Sequence, residues 1–299
     1  MGRRGSIRFV ILLAVASLWL NTSFGQQTAK DSCSRINYTI AGTGAVYAAS
    51  MTGLYSLWYK DYPQSEFHFF NDNAEWLQMD KMGHLGSAYY LTNWSTSLYN
   101  WAGLDNRSAA WAGGASAMLF LTTVEVFDGF SSQWGFSGGD MVANAAGAGL
   151  SIYQQLQWQE QRIKIKFSFS ESKYAKYRPD QLGTSYVEQL FKDYNGQTYW
   201  LSGNMHSFLG PESKFPKWLN VAVGYGVDGL TGARANIAGT ESFERRRQFY
   251  LAPDIDLTRI PVKSKFLKTV FETIGFIKFP APALELRNDG SIKGHWLFF

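Results

Sequence analysis

Apolar and polar positions follow a helical period over the first half of the chain. Between about residues 41 and 158 this pattern predicts four helices, at roughly 41–60, 80–101, 108–128 and 138–158. The helices are rich in alanine, glycine, serine and aromatic residues, a usage that lets helix backbones approach closely. Since glycine inside a helix costs up to about 1 kcal/mol relative to alanine, we expect these helices to rely on tertiary packing.

The period changes beyond Trp158. Residues 163–170 alternate apolar and polar side chains with period two, as a strand with one apolar face does. Further strands are predicted at 218–227 and 248–257, a short helix at 265–276, and an aromatic strand at the end of the chain. These four or five strands are fewer than the eight of a closed membrane barrel. The predicted class is therefore α+β, with a helical bundle followed by a β-rich antiparallel region packed on it.

The first 25 residues have the features of an export signal. Three arginines precede an apolar stretch at 9–20, and a small-x-small cleavage site ends at Gly25. Cys33, the single cysteine, permits no intramolecular disulfide and lacks the preceding pattern of a lipid-anchored cysteine, so we interpret it as a free thiol in a tether. The expected organisation is a signal at 1–25, a tether at 26–40, a helical core at 41–160 and a β-rich region at 161–299.

Composition limits the expected partners. Removal of the signal takes away three arginines and no acidic residue, so the formal charge falls from +4 to +1, which argues against nucleic acid. Aromatic residues make up 16% of the chain, a content that suits membrane interfaces, carbohydrate stacking or simply a large aromatic core. We expect a location in the periplasm or outer membrane of a Gram-negative bacterium, with membrane lipid and an envelope protein as candidate partners.

Three short polar clusters interrupt the apolar helices, at 80–84, 125–129 and 140–144. Within each cluster the polar residues stand three or four positions apart and project from one helical face. If the three faces converge, they form one pocket. The candidate catalytic or metal-ligating residues are His84, Glu125, Asp128 and Asp140, and the candidate binding residues are Asp80, Lys81 and Asn144.

These residues admit three interpretations. One imidazole and three carboxylates suit a divalent metal that activates water. Alternatively, a histidine–carboxylate pair serves as a general base while Lys81 and Asn144 hold a phosphate or sugar oxygen. The third is a buried network of paired charges that fixes helix register, which we rank first. Simple helix capping explains Asp80, and Ser137 with Asp140, but not His84 or Glu125.

The same clusters carry a resemblance to a known family. The run 75–84, together with Glu125-x-x-Asp128-Gly129 and Ser137-x-x-Asp140-x-x-x-Asn144, resembles the DUF2279 family, described as predicted periplasmic lipoproteins related to YfiM. The resemblance covers about residues 37–158, and the whole length is similar to the longer Bacteroidota-type members. A looser similarity extends to the VanZ-like membrane family. The resemblance implies an envelope location and a helical core, and supplies no activity.

Two functions are compatible with the sequence. The first is a non-enzymatic envelope component that binds lipid or a protein partner and whose polar clusters are satisfied internally. The second is a metal-dependent or general-base hydrolase or transferase that acts on a phosphorylated lipid or glycan, which requires an open cleft for a headgroup.

Overall fold

The computed structural model describes residues 29–60 and 62–299, so the predicted export signal lies outside the described residues. The chain forms two compact units. The helical unit contains residues up to Asp72 together with Ser87–Glu160, and the sheet unit contains Asn73–Gly86 together with Gln161–Phe299. Helices followed by an antiparallel sheet confirm the predicted α+β class.

The four predicted N-terminal helices are all present. Helix α1 begins at Ala29, inside the segment that we expected to be a tether, and continues into a π-helical turn at Tyr55–Tyr59. The helices are α1 Ala29–Leu54, α2 Met79–Ala102, α3 Asn106–Gly129, α4 Gly138–Trp158, α5 Pro179–Leu182, α6 Tyr186–Lys192, α7 Met205–Leu209 and α8 Lys265–Ile274.

Close backbone contact holds α2 and α3 together in the helical unit. A Cβ atom added at Gly113 of α3 would lie 2.4 Å from Oγ1 and 2.8 Å from the backbone nitrogen of Thr96. Only glycine leaves room for this approach, which agrees with the expected use of small residues at helix contacts. Within the described residues, α3 is the one helix whose length and apolar composition would allow it to cross a membrane.

A six-stranded antiparallel sheet forms most of the sheet unit, with the strands side by side in chain order. The strands are β1 Ile163–Phe169, β2 Gln197–Gly203, β3 Leu219–Asp228, β4 Arg246–Ile255, β5 Ala281–Arg287 and β6 Ile292–Phe298. The segment before β5 covers the free edge of β1. The N–H of Phe167 donates to the carbonyl of Phe276, and the N–H of Lys278 donates to the carbonyl of Phe167, both at 2.8 Å.

The register of the strands sets two opposite faces. Leu201, Val223, Leu251 and Leu284 are successive cross-strand neighbours on one face, which we call the outer face. One residue along each strand, a second row points to the inner face and contains Lys166, Trp200, Gly224, Tyr250 and Glu285. Gly224 is required there, because a Cβ at this position would lie 2.7 Å from the Trp200 ring.

Candidate functional site

The predicted site residues fall in both units. Glu125, Asp128, Asp140 and Asn144 belong to the helical unit, whereas Asp80, Lys81 and His84 belong to the sheet unit. The convergence of the two sets on one centre stays a prediction.

Ser137 links the carboxylates of the helical unit. As the N-cap of α4, its hydroxyl accepts a hydrogen bond from the backbone N–H of Asp140 at 3.1 Å, which is the predicted cap. The same hydroxyl donates to Asp72 at 2.6 Å, and the Ser137 backbone N–H donates to Glu125 at 3.0 Å. Glu125 and Asp140 are only 1% and 3% exposed. The bond from the Ser137 N–H therefore compensates part of the burial of the Glu125 carboxylate, as in a structural network.

Asp128 bonds a tyrosine of the π-helical turn. The hydroxyl of Tyr59 donates to its carboxylate at 2.8 Å. Burial, followed by the negative charge of Asp128, raises the pKa of Tyr59, so this hydroxyl keeps its proton and remains a donor. The sequence does not predict this contact, because Tyr59 and Asp128 lie 69 positions apart.

Asp80 organises the polar cluster of the sheet unit. Its carboxylate accepts a hydrogen bond from the hydroxyl of Tyr194 at 3.0 Å. Lys81 Nζ lies 3.5 Å and His84 Nε2 3.9 Å from the same carboxylate. Asp80 is the second residue of α2 rather than its N-cap, and tertiary contacts occupy its side chain. Burial and then the Asp80 charge raise the pKa of Tyr199.

A left-handed turn precedes this cluster. Trp76, Leu77 and Gln78 have φ angles of 46°, 51° and 64°, a conformation that costs roughly 1–2 kcal/mol per residue without glycine. Arg247 compensates part of this cost, since its guanidinium donates to the carbonyl of Leu77 at 3.0 Å and to the Gln78 side chain at 2.6 Å. Tyr225 also donates to the Leu77 carbonyl. These bonds fix the direction in which α2 leaves the turn and so position Asp80.

Each unit contains groups of the type that ligate metals. Asp72 and Glu125 both bond Ser137 in the helical unit, and Asp80 stands beside His84 in the sheet unit. Carboxylate oxygens and imidazole nitrogens are common ligands of divalent cations. The metal centre and the general base remain predictions.

Substitution of Glu125 by glutamine discriminates a network from a metal centre. We expect the free energy of unfolding to fall by about 1 kcal/mol, since the Ser137 N–H then donates to a neutral amide oxygen in place of a charged carboxylate, with no change in metal content. Chemical denaturation and elemental analysis of the purified protein measure the two quantities. Glu66, exposed in the same unit, is the matched control, and Glu66→Gln should stay within about 0.5 kcal/mol of wild type. A Glu125→Gln protein of normal stability that has lost stoichiometric metal would support the metal centre instead.

The outer face of the sheet is apolar and uncovered over most of its width. Leu201, Val223, Leu251 and Leu284 are 41%, 52%, 49% and 56% exposed. Further exposed apolar residues of the sheet are Val221, Phe249, Leu286, Ile292, Trp296 and Leu297. Contiguous apolar patches of this kind mark interaction surfaces.

The inner face, by contrast, buries charged groups. Lys166 Nζ lies 2.8 Å from the carboxylate of Asp254, and both side chains are fully buried. Ser202 donates to Asp254 at 2.6 Å, and Lys278 Nζ lies 3.9 Å from it and 4.9 Å from the centre of the Trp200 ring. The inner face therefore buries paired charges beside an apolar cluster that contains Trp200, Ala222 and Tyr250, while the outer face exposes aliphatic side chains. We call this placement of buried charges and exposed aliphatic side chains the reversed polarity of the sheet.

A second buried charge group lies further along the inner face. The carboxylate of Glu285 is 2.6 Å from Nε2 of His295 and 2.6 Å from Nε of Arg287, and it accepts from Gln248 at 2.8 Å. Burial opposes ionisation, but these hydrogen bonds keep the pKa of Glu285 below its usual range. Glu285 is thus charged at neutral pH and paired within the sheet.

One end of the outer face is covered within the sheet unit itself. Met79 and Val227, 0% and 1% exposed, pack together with Trp76 and Tyr225. Away from this end, a groove of about 720 Å³ opens on the sheet. It is lined mainly by apolar residues, among them Leu219, Val221, Leu251, Pro253, Leu284 and Trp296.

Helix α8 is strongly amphipathic. Phe266 and Leu267 are 71% and 39% exposed, and three exposed lysines stand close by at 263, 265 and 268. Exposed aromatic and aliphatic side chains beside lysines are typical of helices that lie at a membrane surface.

The sequence signal for the outer face was present in the alternation of β3, where Val221 and Val223 alternate with Asn220 and Ala222. Alternation alone does not tell which face is covered.

The contacts of Ser137 with Asp72 and of Asp80 with Tyr194 join residues 65 and 114 positions apart, and no local pattern predicts them.

Comparison with protein families supports the resemblance noted above. Residues 67–156 match the model of the DUF2279 family, described as "Predicted periplasmic lipoprotein". The matched segment contains all seven predicted site residues. Neither the curated proteins nor the solved structures yield a match. The family description agrees with the predicted export to the periplasm or outer membrane.

Proposed function

From the DUF2279 segment at residues 67–156, we propose that this chain is an exported envelope component that is seated in a membrane by its C-terminal sheet. The outer face contacts lipid hydrocarbon, and the charged inner face stays within the protein. The single observation that carries the proposal is the reversed polarity of the sheet.

Lipid is favoured as the occupant of the outer face for two reasons. Aliphatic side chains facing outward and polar side chains facing inward, alternating along each strand, are the pattern of strands that contact hydrocarbon. The lysines and exposed Phe266 of α8 suit the headgroup region beside such a surface. The polar clusters support a structural role, since Glu125 and Asp80 both accept hydrogen bonds from neighbouring groups.

Vesicle flotation tests this proposal. The protein without its signal should float with phosphatidylcholine vesicles, whereas the double substitution Leu251→Lys/Leu284→Lys should lower membrane partitioning by more than about a hundredfold. The reason is that each lysine costs about 2–4 kcal/mol in the middle of the hydrocarbon region. These two leucines are cross-strand neighbours, so both charges enter one patch.

A matched control places two lysines elsewhere in the same unit. Tyr186 and Phe191 are 54% and 50% exposed on α6, and the double substitution Tyr186→Lys/Phe191→Lys should float as wild type does. Circular dichroism verifies that each protein keeps its sheet. Wild-type protein that stays in the aqueous fraction, or a Leu251→Lys/Leu284→Lys protein that floats equally well, would contradict the proposal and favour a protein partner for this face.

A further inference from the structure

An aromatic pocket of about 280 Å³ lies in the helical unit, outside the polar network of Ser137. It is formed where the π-helical turn meets the end of α3. Its aromatic lining residues are Tyr55, Tyr59, Tyr62, Phe127 and Phe130. The volume is close to the lower limit of about 300 Å³ for small-molecule sites, so the ligand must be small.

The rings meet at steep angles. Tyr59 and Phe127 have centroids 5.5 Å apart and planes inclined by 69°, and Tyr55 and Phe127 are 6.5 Å apart at 71°. Rings packed edge to face form a corner and leave faces available to a third group, whereas stacked rings cover each other. The corner suits a compact ligand better than a flat one.

A carboxylate bonds one of the rings that line the pocket. The carboxylate of Asp128 accepts the hydroxyl hydrogen of Tyr59, which increases the electron density of that ring. Among the residues that line the pocket, all of them in the described part of the chain, none carries a positive charge. Gln64 and Ser131 add polar groups at the border. Aromatic faces beside a carboxylate are the arrangement that binds substituted ammonium groups.

We infer that this pocket binds a substituted ammonium group through cation–π contacts, with Asp128 supplying the opposite charge. The π-helical turn at Tyr55–Tyr59 supports the inference, since such turns occur frequently at functional sites. The inference is independent of how the sheet contacts a membrane, because it concerns residues of the helical unit alone.

Calorimetric titration of the detergent-solubilised full chain with choline tests the site. The comparison ligand is 3,3-dimethylbutan-1-ol, which has the shape of choline without its charge. Choline should bind and the neutral alcohol should bind at least about tenfold more weakly, because only the cation interacts with the ring faces. Equal binding of both ligands, or no binding of choline, would overturn the inference.

Two variants assign the binding to this pocket. Tyr62→Leu removes one ring but keeps an apolar side chain, and should weaken choline binding by roughly threefold to thirtyfold. Tyr153, 56% exposed elsewhere in the same unit, gives the control Tyr153→Leu, which should leave the affinity unchanged. Thermal unfolding verifies that both variants fold. An equal effect of the two substitutions would also overturn the inference.

The ammonium group has two sources, a phospholipid headgroup or a free solute. Once choline binding is established, flotation with phosphatidylcholine and with phosphatidylglycerol vesicles separates them. If the Tyr62→Leu protein binds phosphatidylcholine vesicles less than wild type does, but binds phosphatidylglycerol vesicles equally, the ligand is the headgroup. Equal retention of both proteins on both vesicles identifies the free solute.

Discussion

Replacement of Asp254 by alanine is expected to lower the free energy of unfolding by about 3–5 kcal/mol. Asp254 is the common partner of Lys166, Ser202 and Lys278 on the inner face of the sheet. Its removal leaves two buried ammonium groups without their carboxylate. Uncompensated buried charge is among the most destabilising changes in proteins. Denaturant titration followed by tryptophan fluorescence reports the change, since Lys278 contacts the Trp200 ring.

Two further variants test the cause of this loss. Asp180→Ala removes an exposed carboxylate from the same unit and should change the free energy by no more than about 0.5 kcal/mol. The double variant Lys166→Met/Asp254→Leu removes a charge together with its partner, and should be more stable than Asp254→Ala. If Asp254→Ala is no less stable than Asp180→Ala, the charged interior of the sheet does not exist in solution.

The loss in free energy of unfolding caused by Asp254→Ala should also depend on pH. Burial lowers the pKa of Lys278 to about 8, below its value in the unfolded chain, while Asp254 acts in the opposite direction. The folded protein therefore binds fewer protons than the unfolded chain above pH 8, and Lys278 becomes less destabilising as the pH rises. Without Asp254 the pKa of Lys278 falls further, so the difference between wild type and Asp254→Ala should shrink as the pH rises towards about 8 and stay constant above it. The raised pKa values of the buried tyrosines affect both proteins equally and cancel.

The second large effect is expected at Gly113, where α2 and α3 touch. Gly113→Ala places a methyl group 2.4 Å from the Thr96 hydroxyl and 2.9 Å from the carbonyl of Thr92. One of these contacts is with backbone, so the helices must separate, and we expect a loss of about 1–3 kcal/mol. The higher helix propensity of alanine offsets only part of this steric cost.

Gly149 of α4 is the matched control, because a Cβ there meets no atom within 4 Å. Gly149→Ala should stabilise the protein by up to about 1 kcal/mol, as alanine does in an open helix position. Thermal unfolding of both variants measures the contrast. If both substitutions raise the melting temperature, α2 and α3 are not packed through glycine.

The sequence predicted three of the four large helices and three strands to within a few residues, because each carries a local period that burial enforces. The first helix was predicted to begin near residue 41 but begins at Ala29. The α+β class follows from these elements. The prediction failed to include β2, Gln197–Gly203, and β5, Ala281–Arg287. Both strands place polar or small residues such as Ser202 and Glu285 on the buried face. They therefore lack the alternation of buried apolar and exposed polar residues from which strands are predicted.

The candidate site was predictable in part. Capping by Ser137 followed from a spacing of three residues, and the structure contains it. The sequence did not predict the contacts made by Asp72, Tyr59 and Tyr194, because each of them joins residues far apart in the chain. The reversed polarity of the sheet required the strand register, which depends on pairing between strands rather than on any one of them.

Each of the two units is built from two separate segments of the chain. Asn73–Gly86 is synthesised long before Gln161–Phe299, yet Trp76 and Met79 reach their final neighbours only when those strands exist. The DUF2279 segment at 67–156 contains the early piece but none of the strands. A fragment limited to residues 67–156 therefore lacks the strands that cover Trp76 and Met79, and both side chains would be exposed to solvent in it.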